Sequence, residues 1–348
     1  MTQVVARQSD ILCQSCAGQC IYDPGQQDLL CQSCGTLWPL ATEHDHLAAE
    51  EFPFDPDLPR DEAPIHLGDH VHSCETCGGQ VIFVGSALSE NCPYCNGSVV
   101  LAIEDKAFET MALVPFRTDR DHAQKQIVAW IDRRIAAPKD LQDFTSRGRI
   151  AGIYAPFWTF DSREAIEYWA SYTVGSGDKR RRKRKTGRMT VDFNDMLVPA
   201  SPHVTSLIRD GILHDFDPSQ LRPFRSGYLA GFAAERHHLT VTEGLQANAQ
   251  DKDLLIRNRI VADVGKPNAT IERYKTDTTG IHYRRILLPV WILHYSYSGV
   301  AKKVVVSGID GRTFGERPFS RWKLAGYSAA LTAATMLIGL IWGAGAAL

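Results

Sequence analysis

Lysine and arginine are almost absent from the first 100 residues of this 348-residue chain. Arg7 and Arg60 are the two cations there, against fourteen Asp and Glu, so this part carries a formal charge of −12 and the remainder carries +10. Proteins bind nucleic-acid phosphates largely through Lys and Arg. The deficit therefore argues against nucleic-acid binding by the N-terminal part of the chain.

Two further absences narrow the class of protein. The N-terminal residues MTQVVARQSDILCQSC lack the basic-then-apolar order of a secretory signal. We therefore expect the nine cysteines to be reduced thiols or metal ligands rather than disulfides. The sequence also contains no GxxxxGK[ST] phosphate-binding loop and no catalytic constellation, so a motor ATPase of that class is unsupported and the protein is predicted not to be an enzyme.

Eight of the nine cysteines form the pattern C-x2-C-x14-C-x2-C twice. The ligand candidates are Cys13, Cys16, Cys31 and Cys34 in the first copy, and Cys74, Cys77, Cys92 and Cys95 in the second. Two residues between thiolates let one tight turn direct both sulfurs at one ion, and two such turns supply the tetrahedral four-thiolate set of structural Zn2+ sites. The repeat predicts two zinc ribbons with one Zn2+ each, and Cys20 remains as a free thiol.

Other chemistries use related cysteine motifs. A single CxxC pair is typical of thioredoxin-like redox centres, but here the pairs come in equally spaced sets. A four-cysteine set can also hold an iron–sulfur cluster, and that alternative stays open. A closed four-thiolate zinc site has no open coordination position, so we expect it to act as a scaffold rather than in hydrolysis.

Composition divides the chain into five predicted parts. The body is predicted to be α+β because helical periodicity alternates with strand-like runs of aromatic and β-branched residues. The parts are zinc ribbon 1 over 1–45, an acidic Pro-rich linker over 46–69, zinc ribbon 2 over 70–103, the α+β body over 110–318, and a transmembrane helix over 324–348.

Within the body, a first helix is expected from Thr118 with Ile135 on its inner face, and another from Thr240 with Glu243. Strands are expected over 153–161, 165–174 and 284–299.

A run of seven cations lies inside the body, between two strand-like segments that predict a hairpin with the run at its tip. These charges have four alternative partners: nucleic acid, an anionic lipid surface, the acidic ribbons, or water alone. We assign the loop as an anionic-lipid or polyanion-binding site. Its residues are Lys179, Arg180, Arg181, Arg182, Lys183, Arg184 and Lys185.

The segment 324–348 is 25 residues long and contains no charged residue. A helix of this length, at about 1.5 Å per residue, spans a bilayer core of ~30 Å. The sequence therefore predicts a C-terminal membrane anchor, and the cations just before it orient the N-terminal bulk toward the cytoplasm. Gly339 and Gly343 form a GxxxG pattern, which predicts helix–helix packing and a homo-oligomer.

Together with the paired ribbons, several segments give the chain a family resemblance. It resembles a bacterial family of membrane-anchored double zinc-ribbon proteins, which carry the labels TFIIB-type zinc ribbon and primosomal protein N′ (replication factor Y)-like superfamily II helicase. The resemblance implies a single-pass protein of the bacterial inner membrane, with SPFH-domain or phage-shock-type membrane proteins as partners. The segments are YAPFWTFDS, DMLVPAS, GYLAGFAAE, LLPVWILHYSYSG and GERPFSRWK.

Two functions follow as expectations. The first is a non-enzymatic, tail-anchored adaptor whose acidic ribbons recruit a protein partner. The alternative is a nucleic-acid-binding zinc-ribbon protein that lacks a helicase motor and uses the basic hairpin rather than the ribbons.

Overall fold

The computed structural model describes residues 11–42, 45, 50–55, 65–66, 71–83, 91–101, 106–138, 140–205, 208–209 and 216–345. Most of the predicted linker 46–69 lies outside the described residues. The α-helices are α1 Arg120–Asp132, α2 Leu141–Ser146, α3 Val241–Val264 and α4 Arg321–Gly345. The strands are β1 Cys20–Asp23, β2 Asp28–Cys31, β3 Leu37–Trp38, β4 Phe52–Pro53, β5 Ile65–His66, β6 Val71–Cys74, β7 Gln80–Phe83, β8 Val99–Leu101, β9 Lys106–Ala107, β10 Ala112–Leu113, β11 Arg149–Val174, β12 Arg181–Pro199, β13 Arg222–Pro223, β14 Ala233–Glu235, β15 Thr270–Tyr297, β16 Val300–Ser307 and β17 Thr313–Gly315.

Two long antiparallel strands form the centre of the body. β11 has 26 residues and β15 has 28, and they pair from Arg149↔His294 to Ser171↔Thr270. Every residue from 153 to 160 is buried, as expected for a strand covered on both faces. The remainder of the 12-stranded sheet extends from this pair, with β12 beside β11 and β16 beside β15.

The prediction of an α+β fold is wrong, because the described part of the chain is mostly β-sheet. The segments 153–161 and 165–174 were expected to be separate strands, and they form the single strand β11. A bulge between Phe160 and Ser162 bends this strand without ending it. Likewise, the strand predicted over 284–299 begins already at Thr270 in β15. Composition alone does not show where a strand ends, because hydrogen bonds to neighbouring strands on both sides extend the strand through polar residues.

The second four-cysteine unit is continuous with the main sheet, whereas the first has a sheet of its own. β7 pairs with β14, which in turn lies beside β11, and β6 and β8 follow at the sheet edge. β1, β2 and β3 form a separate three-stranded sheet. The short strand β4 comes from the predicted linker and pairs with His282 and Tyr283 of β15, so this part of the linker is attached to the body.

The prediction of a C-terminal transmembrane helix is contradicted, and with it the predicted inner-membrane localisation. In the described residues, none of the helices combines the length and the apolar character that a bilayer crossing requires. Helix α4 carries Arg321 and Lys323 in its first turn.

Candidate metal centres

Both predicted four-cysteine groups are assembled in space, and in each the four Sγ atoms lie within 4.8 Å of one another. In the first group the Sγ atoms of Cys13 and Cys34 are 3.6 Å apart, and in the second those of Cys77 and Cys92 are 3.8 Å apart. A tetrahedral ion with Zn–S bonds of about 2.3 Å requires S···S distances of about 3.8 Å. Both donor sets therefore fit a four-coordinate metal ion, and their spacing is far longer than a disulfide bond of about 2.05 Å.

The four CxxC turns share one backbone conformation. In each turn the residue after the second cysteine has a left-handed φ between 56° and 73° and donates its N–H to the carbonyl of the first cysteine. Gly35 and Gly78 take this position at no steric cost. The other two positions are occupied by Ala17 and Asn96. The same turn therefore accounts for the two-residue spacing inside all four cysteine pairs.

Two further glycines in these turns have a packing role. Gly18 and Gly97 follow the left-handed residues, and their own φ is ordinary. A Cβ at Gly18 would lie 2.5 Å from the Oγ of Ser33, and one at Gly97 would lie 2.2 Å from the Oγ1 of Thr76. These glycines therefore allow the two turns of each group to approach one another.

Hydrogen bonds favour the thiolate form of two of the ligands. The indole N–H of Trp38 donates to the Sγ of Cys13 over 3.4 Å and lowers the pKa of that thiol to about 6. Burial opposes ionisation of Cys74, but the backbone N–H groups of Cys77 and Thr76 outweigh it and lower its pKa to about 7. Metal ligands must be thiolates, so these contacts favour metal binding at Cys13 and Cys74.

Two other thiols in the same groups are harder to ionise. The pKa of Cys16 is raised to about 12, because the backbone N–H of Gly18, which lowers it, is outweighed by the neighbouring thiols. Burial raises the pKa of Cys77 to about 11. A metal ion must therefore displace the proton from these two.

Cys20 lies beside the first group without belonging to it. It is buried, and it pairs with Cys31 across the β1–β2 ladder. Burial raises the pKa of Cys20 to about 11, so its side chain is a protonated thiol at neutral pH.

The first centre is fastened to the body through Tyr22. Its hydroxyl donates to the carbonyl oxygen of Phe116 over 3.0 Å, and its backbone N–H donates to the carbonyl oxygen of Ala230 over 2.9 Å. Its ring contacts Tyr228 edge-on at 5.5 Å, with Phe232 slightly farther away. Tyr22 is only 2% exposed, so this contact is part of the core.

The second centre is held by strand pairing and by two side chains of the main sheet. A ring nitrogen of His294 contacts the carbonyl oxygen of Pro93 at 2.8 Å, within the CPYC turn. Arg149 donates to the side-chain oxygen of Asn96 over 3.4 Å. Burial lowers the pKa of His294, so its ring is neutral at physiological pH. The ribbon and the body therefore share one hydrophobic core.

Next to this second centre, Glu235 of β14 is a buried carboxylic acid. The hydroxyl of Ser201 donates to its Oε1 over 2.7 Å, and burial raises its pKa to about 7. Its usual pKa is 4.5, so the folded state binds this proton more tightly than the unfolded state. The stabilisation is complete below pH 4.5 and is lost as the pH rises through 7.

We expect Glu235→Gln to change the pH dependence of stability. Between pH 6 and 8 the wild type should lose about 1 kcal/mol more unfolding free energy than the variant, because Gln cannot release a proton. Urea denaturation at several pH values, with zinc present throughout, measures this difference. Parallel curves for the two proteins would show that Glu235 is ionised in the native state over this whole range.

The structure distributes the basic run differently from the prediction. Lys179 and Arg180 lie in the turn, whereas 181–185 form the start of strand β12, which pairs with β11 on one side. Carboxylates of the body contact three of the seven cations: Arg182 and Arg184 approach Glu272, and Lys185 approaches Asp263. These partners belong to β15 and α3 and not to the acidic ribbons.

A further acidic group was not predicted. Glu51, Asp161 and Asp195 lie within 4.8 Å of one another around the guanidinium of Arg284, which is 3% exposed. Arg284 forms ion pairs with Glu51 at 2.8 Å and with Asp195. Burial raises the pKa of both carboxylates, and Arg284 opposes that effect. We interpret the group as an ion-pair cluster that joins the segment 50–55 to the sheet.

Gly339 and Gly343 both lie in α4. No heavy atom of another element lies within 4 Å of a Cβ built at Gly339, so within the described residues this helix has no packing partner there. The GxxxG contact stays a prediction.

Sequence reasoning missed the side chains that join the ribbons to the rest of the protein. Trp38 and Tyr22 belong to the first unit, and Glu235 and His294 belong to the body. The sequence contains one clue to this docking, which is the presence of the two aromatic residues. A small ribbon has little core of its own in which to bury large side chains, so they indicate contact with another part of the protein. The other two carry no local signal, because strand pairing alone brings them to the second centre.

Comparisons with known proteins give one relative and no family. The uncharacterized protein YdjG of Bacillus subtilis strain 168 is 23% identical over 246 residues, which cover 67% of this chain and 72% of the relative. No family model matches the chain, and no solved structure matches it. The similarity therefore places this chain near an uncharacterized protein and assigns it no activity.

Proposed function

We propose that this protein is a non-enzymatic, zinc-binding adaptor. The observation that carries the proposal is the pair of four-thiolate groups, each with the S···S spacing of a tetrahedral metal site. Closed sites of this kind stabilise structure and have no position for a substrate. Zinc suits them because it prefers four thiolates in tetrahedral geometry.

The attachment of both centres to the body supports an adaptor role. Tyr22 fastens the first unit and β7 joins the second to the main sheet. Metal binding therefore fixes two acidic modules in place on one rigid frame. A fixed surface loses less entropy on binding a partner than a mobile one.

The partner is proposed to be a protein. The 100 N-terminal residues carry a formal charge of −12, and each four-thiolate zinc site adds a further −2. Such a surface repels nucleic acids, so a protein is the more favourable partner. SPFH-domain and phage-shock-type proteins are the candidates that the family resemblance suggests.

Metal analysis combined with crosslinking tests this function. Native mass spectrometry of the full chain should show two zinc ions, and crosslinking in intact cells should join it to a small set of proteins. The variant Cys74→Ser should retain one zinc and lose those crosslinks. A chain that purifies with no tightly bound metal, or that keeps its crosslinks in Cys74→Ser, contradicts the proposal.

A second candidate function, nucleic-acid binding, is favoured by one specific observation. Among the described side chains, Lys179, Arg180, Arg181 and Lys183 are exposed and have no carboxylate partner within ion-pair distance. Four unpaired cations around one turn form a phosphate-binding surface. The alternative to nucleic-acid binding is a structural role, because charges on an edge strand prevent it from pairing with the edge of another sheet.

The salt dependence of DNA binding separates these roles. With four phosphate contacts, the slope of log K against log salt should be about −3 to −4 for duplex DNA. Replacing the four unpaired cations by Ser should abolish this binding, whereas replacing Arg182, Arg184 and Lys185 by Gln should change it little. Fluorescence anisotropy with a labelled 20-base-pair duplex measures both. Undetectable binding at 50 mM salt, or binding to anionic vesicles alone, rejects this candidate.

A further inference from the structure

A cavity of about 470 Å3 opens between the two metal-binding units and the body. Ile21 and Gln32 of the first unit line one side, and Asn91 and Pro93 of the second unit line the other. Three of these residues are next to metal ligands, because Gln32 follows Cys31, while Asn91 and Pro93 flank Cys92. The two metal centres therefore shape the walls of a single cavity, whose volume is in the range typical of ligand sites.

One wall of the cavity is a strand edge beside which the described residues place no pairing strand. Residues 150–152 of β11 pair with β15 on one side, and the parallel partner β14 begins only opposite Ile153. Upstream of β14 the chain turns away, because the carbonyl oxygen of Ala230 accepts the N–H of Tyr22 and the N–H of Phe232 donates to Leu229. In an antiparallel pair, alternate residues direct both backbone groups away from the partner strand. Pro156 accepts the N–H of Ala200 on the side away from β15, so by this alternation Ile150 and Gly152 present their N–H and C=O groups to the cavity.

The floor of the cavity is apolar and its charges are positive. Phe232 and Trp291 lie against each other at 5.6 Å, and the lack of a side chain at Gly152 leaves room for both rings. Arg120 and Arg149 supply the charged groups, and no Asp or Glu occurs among the described residues that line the cavity. The ribbon segments on its two sides carry formal charges of −4 over 1–45 and −2 over 70–103.

We propose that this cavity binds an extended acidic peptide segment of a partner protein by strand addition to β11. The strand edge pairs with the peptide backbone, alternate apolar side chains contact Phe232 and Trp291, and an Asp or Glu on the peptide pairs with Arg120. The charge complementarity selects acidic segments, and the apolar floor selects those with large apolar residues. This inference rests on the proposed adaptor function and names the kind of segment that the adaptor binds.

Peptide selection on the zinc-loaded full chain tests the proposal. A displayed library of random nine-residue peptides is selected on the immobilised protein, and the affinity of the recovered peptides is measured by fluorescence anisotropy. We expect net-negative peptides with alternating large apolar residues. Arg120→Glu should weaken their binding at least about tenfold, which corresponds to about 1.4 kcal/mol. Lys125→Glu is the matched control, because Lys125 is exposed on the same helix outside the cavity, and it should leave affinity within twofold.

Backbone methylation of the peptide tests the strand-addition geometry. Methylating every second amide should abolish binding in one register and preserve it in the other, because only alternate N–H groups pair with the edge. A selection that yields no peptide sensitive to Arg120→Glu, or equal effects of methylation in both registers, overturns the inference. Zinc content and cellular crosslinks report separately on the adaptor function. Suppose that Arg120→Glu keeps two zinc ions and the crosslinks, whereas Cys74→Ser loses one zinc ion and the crosslinks. The cavity is then not the partner site, and the adaptor function stands.

Discussion

Replacing Cys74 with Ser is expected to remove one of the two bound zinc ions and to lower the unfolding free energy by about 3 to 5 kcal/mol. The loss extends beyond the ribbon because β6 carries Cys74 and pairs with β7, which is the neighbour of β14 in the main sheet. For a chain of this size the change corresponds to about 5 °C in Tm. Calorimetry and zinc analysis of the same sample measure both effects.

Cys20→Ser is the matched control for this prediction. Cys20 is as buried as Cys74, but it is not a member of either four-thiolate group. The control should keep two zinc ions and lose only the small free energy of placing a hydroxyl in a buried site, about 1 to 2 kcal/mol. Equal zinc loss in both variants would falsify the assignment of the ligands.

Tyr22→Ala is expected to detach the first metal-binding unit from the body while leaving its metal in place. The variant loses a buried ring and the hydrogen bonds it made, a change of about 3 to 4 kcal/mol. All four ligands of the first centre lie within 13–34, so the zinc site does not depend on the docking contact. Amide hydrogen exchange within 11–42 should become about 100-fold faster, with two zinc ions still bound.

Tyr22→Phe isolates the hydroxyl from the ring. It keeps the contacts with Tyr228 and Phe232 but leaves the carbonyl oxygen of Phe116 without its donor, which should cost about 1 kcal/mol. Unchanged exchange rates in Tyr22→Ala would show that other contacts hold the first unit. Loss of one zinc ion in that variant would show instead that docking and metal binding are coupled.

The local features of the chain were predictable because they depend on neighbours in sequence. The Thr240–Glu243 pair was expected to start a helix, and α3 begins there with both side-chain-to-backbone bonds of a capping box. The cysteine spacing likewise predicted which four thiols meet, since each CxxC turn is closed by its own backbone hydrogen bonds.

Features that depend on length or on distant partners were predicted less well. Ile135 was expected on the inner face of the first helix, yet α1 ends at Asp132 and Ile135 is 72% exposed. The basic run was expected in a loop, yet most of it continues β12 because β11 pairs with it as far as Val174. In each case the extent of an element is set by a partner that the local sequence does not contain.

By itself the sequence determined the two four-thiolate groups, the acidic character of the N-terminal part and the concentration of positive charge at 179–185. Only the tertiary structure decided that these groups are fixed to one β-rich body and that body carboxylates contact part of the basic run. It also decided that a strand edge without a pairing strand in the described residues lies with Arg120 between the metal centres. The physical reason is the sequence distance over which each kind of interaction acts. A metal-binding turn is closed by bonds within a few residues, whereas docking, ion pairing and strand edges depend on which distant segments the sheet brings together.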